Sequence, residues 1–289
     1  MPWCIFEPSA GVLVCTTRNR VSAWRICDLT QTHQGSIRTV ERYSESTREQ
    51  GRSVCFFNGY IASLLSKAQG RSSVAFTNLT DSLSIPPIDI QQDIVDSSLN
   101  SAKNCIAYKT EPNTQPGRDH PTGPYSIAVE DISTGDRLAF VEGDSTPELG
   151  PISPDGSIIA ESDGLVDLND SSRAAYLPFA RKRAFSPDGR TLATLSDAGR
   201  VMLWDVSRDC DRGTLQNPNN WATAFALSPN NTIIAIGGRS GQVDLWDLKS
   251  RSLIGSLKRH FSQVERIVFG REGDKLVTFC GGGYICVWD

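Results

Sequence analysis

Chemistry at a protein site needs particular side chains held close together. Few combinations in this 289-residue chain qualify. The three histidines, His33, His120 and His260, are scattered, and no HExxH pair occurs, so no metal site is expected. A serine nucleophile on a strand-to-helix elbow reads GxSxG, which is absent. A phosphate-cradling P-loop needs a Gly-Lys pair, also absent. The eight cysteines (4, 15, 27, 55, 105, 210, 280 and 286) form no CxxC. Several lie in apolar runs such as VLVCTT and SVCFF, where a free thiol behaves as a small hydrophobe. They read either as reduced core thiols of an intracellular protein or as a redox or metal site. Aspartates concentrate in SPDG, SDAG and WD stretches, where they suit tight turns better than paired acid–base work. The expectation is no catalytic residue, no metal and no cofactor. Arginine remains, and its forked donors suit carboxylate and phosphate.

The elements that would position these groups are strands. Apolar runs are short, β-rich and bounded by Gly, Asp, Asn and Pro. Only Ile61 to Lys67 carries a weak helical hint. Composition is globular, with 39% hydrophobic and 21% charged residues. A net charge of −4 gives no field that recruits nucleic acid or an anionic membrane. No apolar run approaches the roughly 20 residues that cross a bilayer. The opening MPWCIFEPSAGVLVCTTRNR lacks a basic start followed by an apolar core, so no secretory signal is read. The expected location is cytoplasmic, inside the cell, with the nucleus left open.

The organising feature is a repeat. Trp204, Trp246 and Trp288 lie 42 residues apart (246 − 204 and 288 − 246). Eighteen residues before each lies a turn: SPDG from Ser186, SPNN from Ser228, GREG from Gly270. Two features at constant offset and period mark a repeated supersecondary unit. Strands such as TIIAIGG are nearly continuous in apolar residues, which suits sheets covered on both faces.

A turn, a strand, a polar turn and then V-x-L-W-D resembles the WD-repeat β-propeller family, most specifically over residues 180–289. The resemblance implies an all-β, seven-bladed propeller in a single domain spanning 1–289. Its blades fall at approximately 1–43, 44–88, 89–143, 144–178, 179–216, 217–258 and 259–289. Upstream units are placed by analogy, with Trp24, Thr77, Glu130 and Asn169 at the Trp position. Asn58-Gly59 supports a hairpin in the second unit. The repeat positions given a structural role are Trp24, Trp204, Asp205, Trp246, Asp247, Trp288 and Asp289.

In this family the W-D strand is the third of its blade. Nothing follows Asp289, so the last blade is expected to be three-stranded with a bare edge at Tyr284–Asp289. Either the chain is a piece of a longer protein, the favoured reading, or a partner adds a strand there. The family also couples His, Ser/Thr, Asp and Trp through internal hydrogen bonds. At the Ser/Thr position stand Thr194, Ile236 and Thr278, and His260 stands at one His position. No unit has all four, so apolar packing is expected to dominate and His260 to be structural.

In propeller geometry the connections between second and third strands share a face with the connections between blades. The first set holds Arg18, Arg20, Lys67, Arg71, Lys109, Arg118 and Arg239, with few acids. Blade-to-blade connections add Arg181-Lys182-Arg183 and Lys258-Arg259. The opposite face collects the turn aspartates. The expected partner-binding set is therefore Arg18, Arg20, Lys67, Arg71, Arg118, Arg181, Lys182, Arg183, Arg239 and Arg259. Its ligand would be a protein or peptide, acidic or phosphorylated; an ordinary solvated rim is the other reading. The Pro-rich stretch Lys109 to Tyr125 joins that face as a recognition loop or as a tolerated insertion. A non-catalytic interaction scaffold is the function the resemblance implies. The alternatives are a sensor module of a signalling ATPase, or a propeller enzyme betrayed by converging ionisable side chains in the central channel.

Overall fold

The structure, a computed structural model, describes residues 3–7, 12–17, 20–25, 38–40, 54–57, 60–67, 71–78, 88–90, 94–100, 103–110, 125–143, 149–161, 164–170, 172–207, 210–215, 221–270 and 272–289. Up to residue 90 the description is of backbone and strand pairing. Every regular element in these ranges is a β-strand, and they form seven antiparallel sheets in chain order.

Blade one holds β1 (Trp3–Glu7), β2 (Val12–Thr17), β3 (Arg20–Arg25) and β4 (Arg38–Val40). Blade two holds β5 (Val54–Phe57), β6 (Tyr60–Lys67), β7 (Arg71–Asn78) and β8 (Ile88–Ile90). Blade three holds β9 (Ile94–Asn100), β10 (Cys105–Thr110), β11 (Tyr125–Asp131) and β12 (Arg137–Gly143). Blade four holds β13 (Leu149–Ile152), β14 (Ile158–Glu161), β15 (Gly164–Asp167) and β16 (Arg173–Tyr176). Blade five holds β17 (Lys182–Phe185), β18 (Thr191–Leu195), β19 (Val201–Asp205) and β20 (Cys210–Leu215). Blade six holds β21 (Ala222–Leu227), β22 (Ile233–Gly238), β23 (Gln242–Asp247) and β24 (Leu253–Lys258). Blade seven has three strands, β25 (Val264–Phe269), β26 (Leu276–Cys280) and β27 (Ile285–Trp288).

Each sheet is a meander, with sequence neighbours paired. First strands of successive blades touch, from β1 and β5 through to β21 and β25, so they wall a central channel. The apolar cores lie between blades. Leu195, Val201 and Leu203 of blade five pack with Ala222, Ile234 and Ile236 of blade six. Ala235 and Val243 pack with Val264 and Ile267 of blade seven. Close approach is required there: a Cβ on Gly237 would lie 2.5 Å from a Val264 methyl. Second strands β10, β18 and β26 are buried at every position, as sheets covered on both faces demand. The helical hint at Ile61 to Lys67 is overturned: these residues lie in β6, paired throughout with β7. β5 pairs Phe57 with Tyr60, the register a two-residue turn requires; Asn58 and Gly59 lie outside the described residues.

One backbone bond marks the same point after the third strand of blades three to six. It runs from Ile132 N to Asn104 O, Leu168 N to Ser157 O, Val206 N to Arg190 O and Leu248 N to Thr232 O, at 2.7–3.0 Å. The residue two before each donor is therefore Glu130, Val166, Trp204 or Trp246. Glu130 does occupy the Trp position. Asn169 does not: Val166 does, paired with Ile159 as Trp204 pairs with Leu192. The cause is a shorter β14–β15 hairpin, which leaves VDLND, so similar to VMLWD, out of register with it.

Candidate functional site

The turns decide what the aspartates do. In SPDG, Ser153 Oγ donates to Asp155 at 2.5 Å and Ser186 Oγ to Asp188 at 2.6 Å. In SPNN, Ser228 Oγ bonds Asn230 at 2.7 Å. Gly156 and Gly189 supply the left-handed residue of their turns, and Asn231, with φ of 58°, supplies it in the third. The W-D aspartates anchor the next turn: Asp205 accepts from Ser207 N at 3.1 Å and Asp247 from Ser250 N at 2.6 Å. The Ser153 hydroxyl beside Asp155 and the Ser250 amide at Asp247 hold both carboxyls below the usual range. These groups are pinned as turn formers, and they lie at the end of the disc away from the β18–β19 and β22–β23 connections.

The repeat tryptophans are similarly occupied. Trp204 Nε1 donates to Thr194 Oγ1 at 3.1 Å. Trp288 Nε1 donates to Thr278 Oγ1 at 2.9 Å, and Thr278 bonds His260 Nε2 at 2.6 Å. His260 is buried, and burial lowers its pKa, so it is a structural group in blade seven. Blade three replaces the pair: Tyr108, at the register of Thr194, donates to Glu130 at 2.5 Å, and Arg137 lies 3.7 Å from the same carboxylate. Asp289, at the chain end, lies 3.9 Å from Lys275.

The expected binding residues divide. Arg18 and Arg118 lie outside the described residues, as does most of the Pro-rich insertion. Arg20, Lys67 and Arg71 stand at the strand ends bordering the β2–β3 and β6–β7 connections, where the described detail is backbone, as it is for Trp24 in β3. Arg239 does lie on that face, in the β22–β23 connection, with its guanidinium 5.2 Å from the ring of Trp221. Arg259 follows β24 on the same side. Lys109 is a correction: it sits inside β10, wholly buried, 4.9 Å from the ring of Tyr125. Lys182 and Arg183 are also corrected, since they belong to the innermost strand β17, paired with Leu195 and Thr194, and not to a connection. They line a channel cavity of about 470 Å³ with Arg181, Ser97, Gly150 and Phe225.

Sequence reasoning missed the aromatics of this face. Phe179, Trp221 and Phe261 precede the first strands of three successive blades, and all are exposed, Phe261 by 95%. Tyr284, in the β26–β27 connection, joins Phe261, Arg259 and Ile285 around an open groove of about 370 Å³. A signal existed: Phe179 and Trp221 each stand 25 residues before a repeat Trp (204 − 179 and 246 − 221).

These features coincide with known proteins. Residues 182–205 and 211–247 match the family described as WD domain, G-beta repeat. The chain is 30% identical over 104 residues to meiotic recombination protein rec14 of Schizosaccharomyces pombe, covering 36% of this chain and 34% of that protein. It is 26% identical over 113 residues to WD repeat-containing protein 55 of Arabidopsis thaliana, covering 39% and 32%. Pre-rRNA-processing protein crb3/ipi3 of Schizosaccharomyces pombe matches at 26% over 145 residues, covering 48% and 32%. The chain thus spans about a third of the length of these curated relatives. A chain in a crystal structure of the mitotic checkpoint complex superposes with a TM-score of 0.67 at 16% identity, covering 99% of this chain and 88% of that one. The fold is that of a β-propeller, and the two matched stretches are WD repeats.

Proposed function

We propose that the chain is a non-catalytic interaction scaffold that takes a protein or peptide partner on the face bearing the β18–β19 and β22–β23 connections. One observation carries this reading: Phe179, Trp221, Phe261 and Tyr284 are exposed on the face that also presents Arg239 and Arg259. Aromatic and arginine side chains together are the composition of interface hot spots. Cationic groups there favour an acidic or phosphorylated partner. The outer edge of β27 offers a second place, where a partner strand would add to the three-stranded sheet. Free thiols at Cys105, Cys280 and Cys286 favour the inside of a cell, as do relatives named for recombination and pre-rRNA processing. Among the described residues no helix is long and apolar enough to cross a membrane.

The channel does contain converging ionisable groups, the feature expected of a propeller enzyme. Most are cations, Arg181, Lys182 and Arg183 with Arg266 on β25, and the Glu265 carboxylate acts on Lys182 through space. A cationic cluster of this kind binds and orients anions. Among the described residues no cluster of three His, Cys, Asp or Glu stands ready to hold a metal ion. The scaffold reading is preferred for the exposed aromatic and arginine side chains that share one face. Its test is quantitative recovery of co-purifying proteins on the tagged chain. Trp221→Ala combined with Arg239→Glu should abolish recovery of the wild-type partners, and Lys249→Glu, in the β23–β24 turn of the opposite face, should not. Equal recovery by all three would sink the assignment of this face.

A further inference from the structure

Lys182 and Arg181 are held in an unusual way. Arg181 Nη2 donates to Ala222 O, at the start of β21, at 2.9 Å. Lys182 Nζ donates to Thr223 O at 3.0 Å and, across the next blade, to Glu265 O at 3.3 Å. All three acceptors are peptide carbonyls. They fix the two heads at the mouth of the channel and neutralise neither charge. Among the described residues, no carboxylate forms an ion pair with Arg181 or Lys182. Glu265 acts on Lys182 through space, and its carboxylate stands beside Gly281, where an added Cβ would meet Oε1 at 3.0 Å.

More positive charge surrounds this point. Arg183 is the next residue of β17, and Arg266 stands near the start of β25. Crowding has the expected electrostatic effect: burial first, then the charges of Arg181 and Arg266, lower the Lys182 pKa, and burial lowers that of Arg266. Glu265 opposes part of this effect at Lys182 and Arg266, and the pKa of each remains lowered. The cavity that Arg181, Lys182 and Arg183 line, about 470 Å³, is within the range of small-ligand sites. Ser97, Ser98 and the backbone of Gly150 complete its wall from β9 and β13. At Gly150 β13 lies close against β14, since a Cβ there would collide with the carbonyl of Ala160.

We propose that the loop-side mouth of the central channel, at Arg181, Lys182 and Arg183, is a binding site for a compact phosphate-bearing group. Phosphate fits better than a lone carboxylate, because it brings close to two charges and three acceptor oxygens to several converging donors. Two sources share this chemistry: a free small polyphosphate and a phosphorylated side chain. The site is defined on the chain alone and does not depend on a protein partner.

Calorimetric titration of the purified chain with inorganic tripolyphosphate tests it. Binding is expected, weakening with added salt, and at least about ten-fold weaker in Arg181→Gln/Lys182→Gln. Lys249→Gln, on the opposite face, should bind as wild type. Circular dichroism and the urea midpoint establish that each variant is folded, and the single Lys182→Gln serves if the double variant is not. No binding to folded wild-type chain at 1 mM probe (roughly the weak limit of a specific site), equal affinity in the variants, or citrate binding as tightly as tripolyphosphate overturns the proposal. A short phosphoserine peptide separates the two sources. Affinity near that of tripolyphosphate identifies a phosphorylated side chain, and much weaker affinity identifies a free polyphosphate.

Discussion

Thr278 and Thr194 are the same residue at the same register, yet they hold different amounts of structure. Thr194 accepts one bond, from Trp204. Thr278 joins Trp288 to His260 at 2.9 and 2.6 Å, and its hydroxyl can accept from the indole while donating to the neutral imidazole. Replacing either by Val keeps the shape and removes the hydroxyl. Thr194→Val should cost about 1 kcal/mol, and Thr278→Val about 2–3 kcal/mol, because it leaves a second buried group unsatisfied. Urea unfolding of the two variants checks the difference, and equal losses would mean that the His260 bond contributes nothing. The Glu130–Tyr108 pair of blade three shows that the register, not the tryptophan, defines this position.

At the level of strands and turns, the anchoring carboxylates set an acid limit. For Asp188, burial opposes the charged form, but the Ser186 hydroxyl, the Arg190 amide and the Arg190 charge outweigh it and lower the pKa. Asp155 is lowered chiefly by Ser153. A carboxyl whose folded pKa lies below its unfolded 3.8 stabilises the fold fully above about pH 4. That contribution is lost as pH falls from there through the folded value. Blade six already uses Asn230 in this turn, with the same serine bond, so Asn can hold it without titrating. Asp155→Asn/Asp188→Asn should therefore flatten the fall of stability between about pH 4 and 2, measured by urea midpoints. An unchanged slope would show that these turns take no part in acid unfolding.

For the whole molecule, stability comes from blades stacked on one another, so an element's protection depends on its neighbours. β19 is paired on both sides, with β18 and β20. β27 is paired with β26 and forms the edge of its sheet. Hydrogen exchange followed by mass spectrometry should find Val201–Asp205 slow and Ile285–Trp288 faster by about ten-fold or more. Equal protection would mean that the edge is covered, by a second copy or by another segment.

The sequence by itself determined the strand repeat and the turn chemistry. Each is written locally: a tryptophan every 42 residues, a Ser-Pro-Asp-Gly turn, apolar runs dense enough for two buried faces. Local rules also explain the failures. Val166 was hidden because VDLND resembles VMLWD and so draws Asn169 onto the Trp position, whereas the shorter β14–β15 hairpin puts Val166 there. Lys109 reads as exposed charge, since a charged residue in isolation favours water, and Lys182 and Arg183 read as part of a connection where they are strand residues of β17. Tertiary structure alone decided that Lys109 is enclosed in β10 and that Arg181 and Lys182 meet carbonyls of two neighbouring blades. Those neighbours lie 41 and 83 residues away, and only the stacking of blades around a common channel brings such distant carbonyls within reach of one lysine.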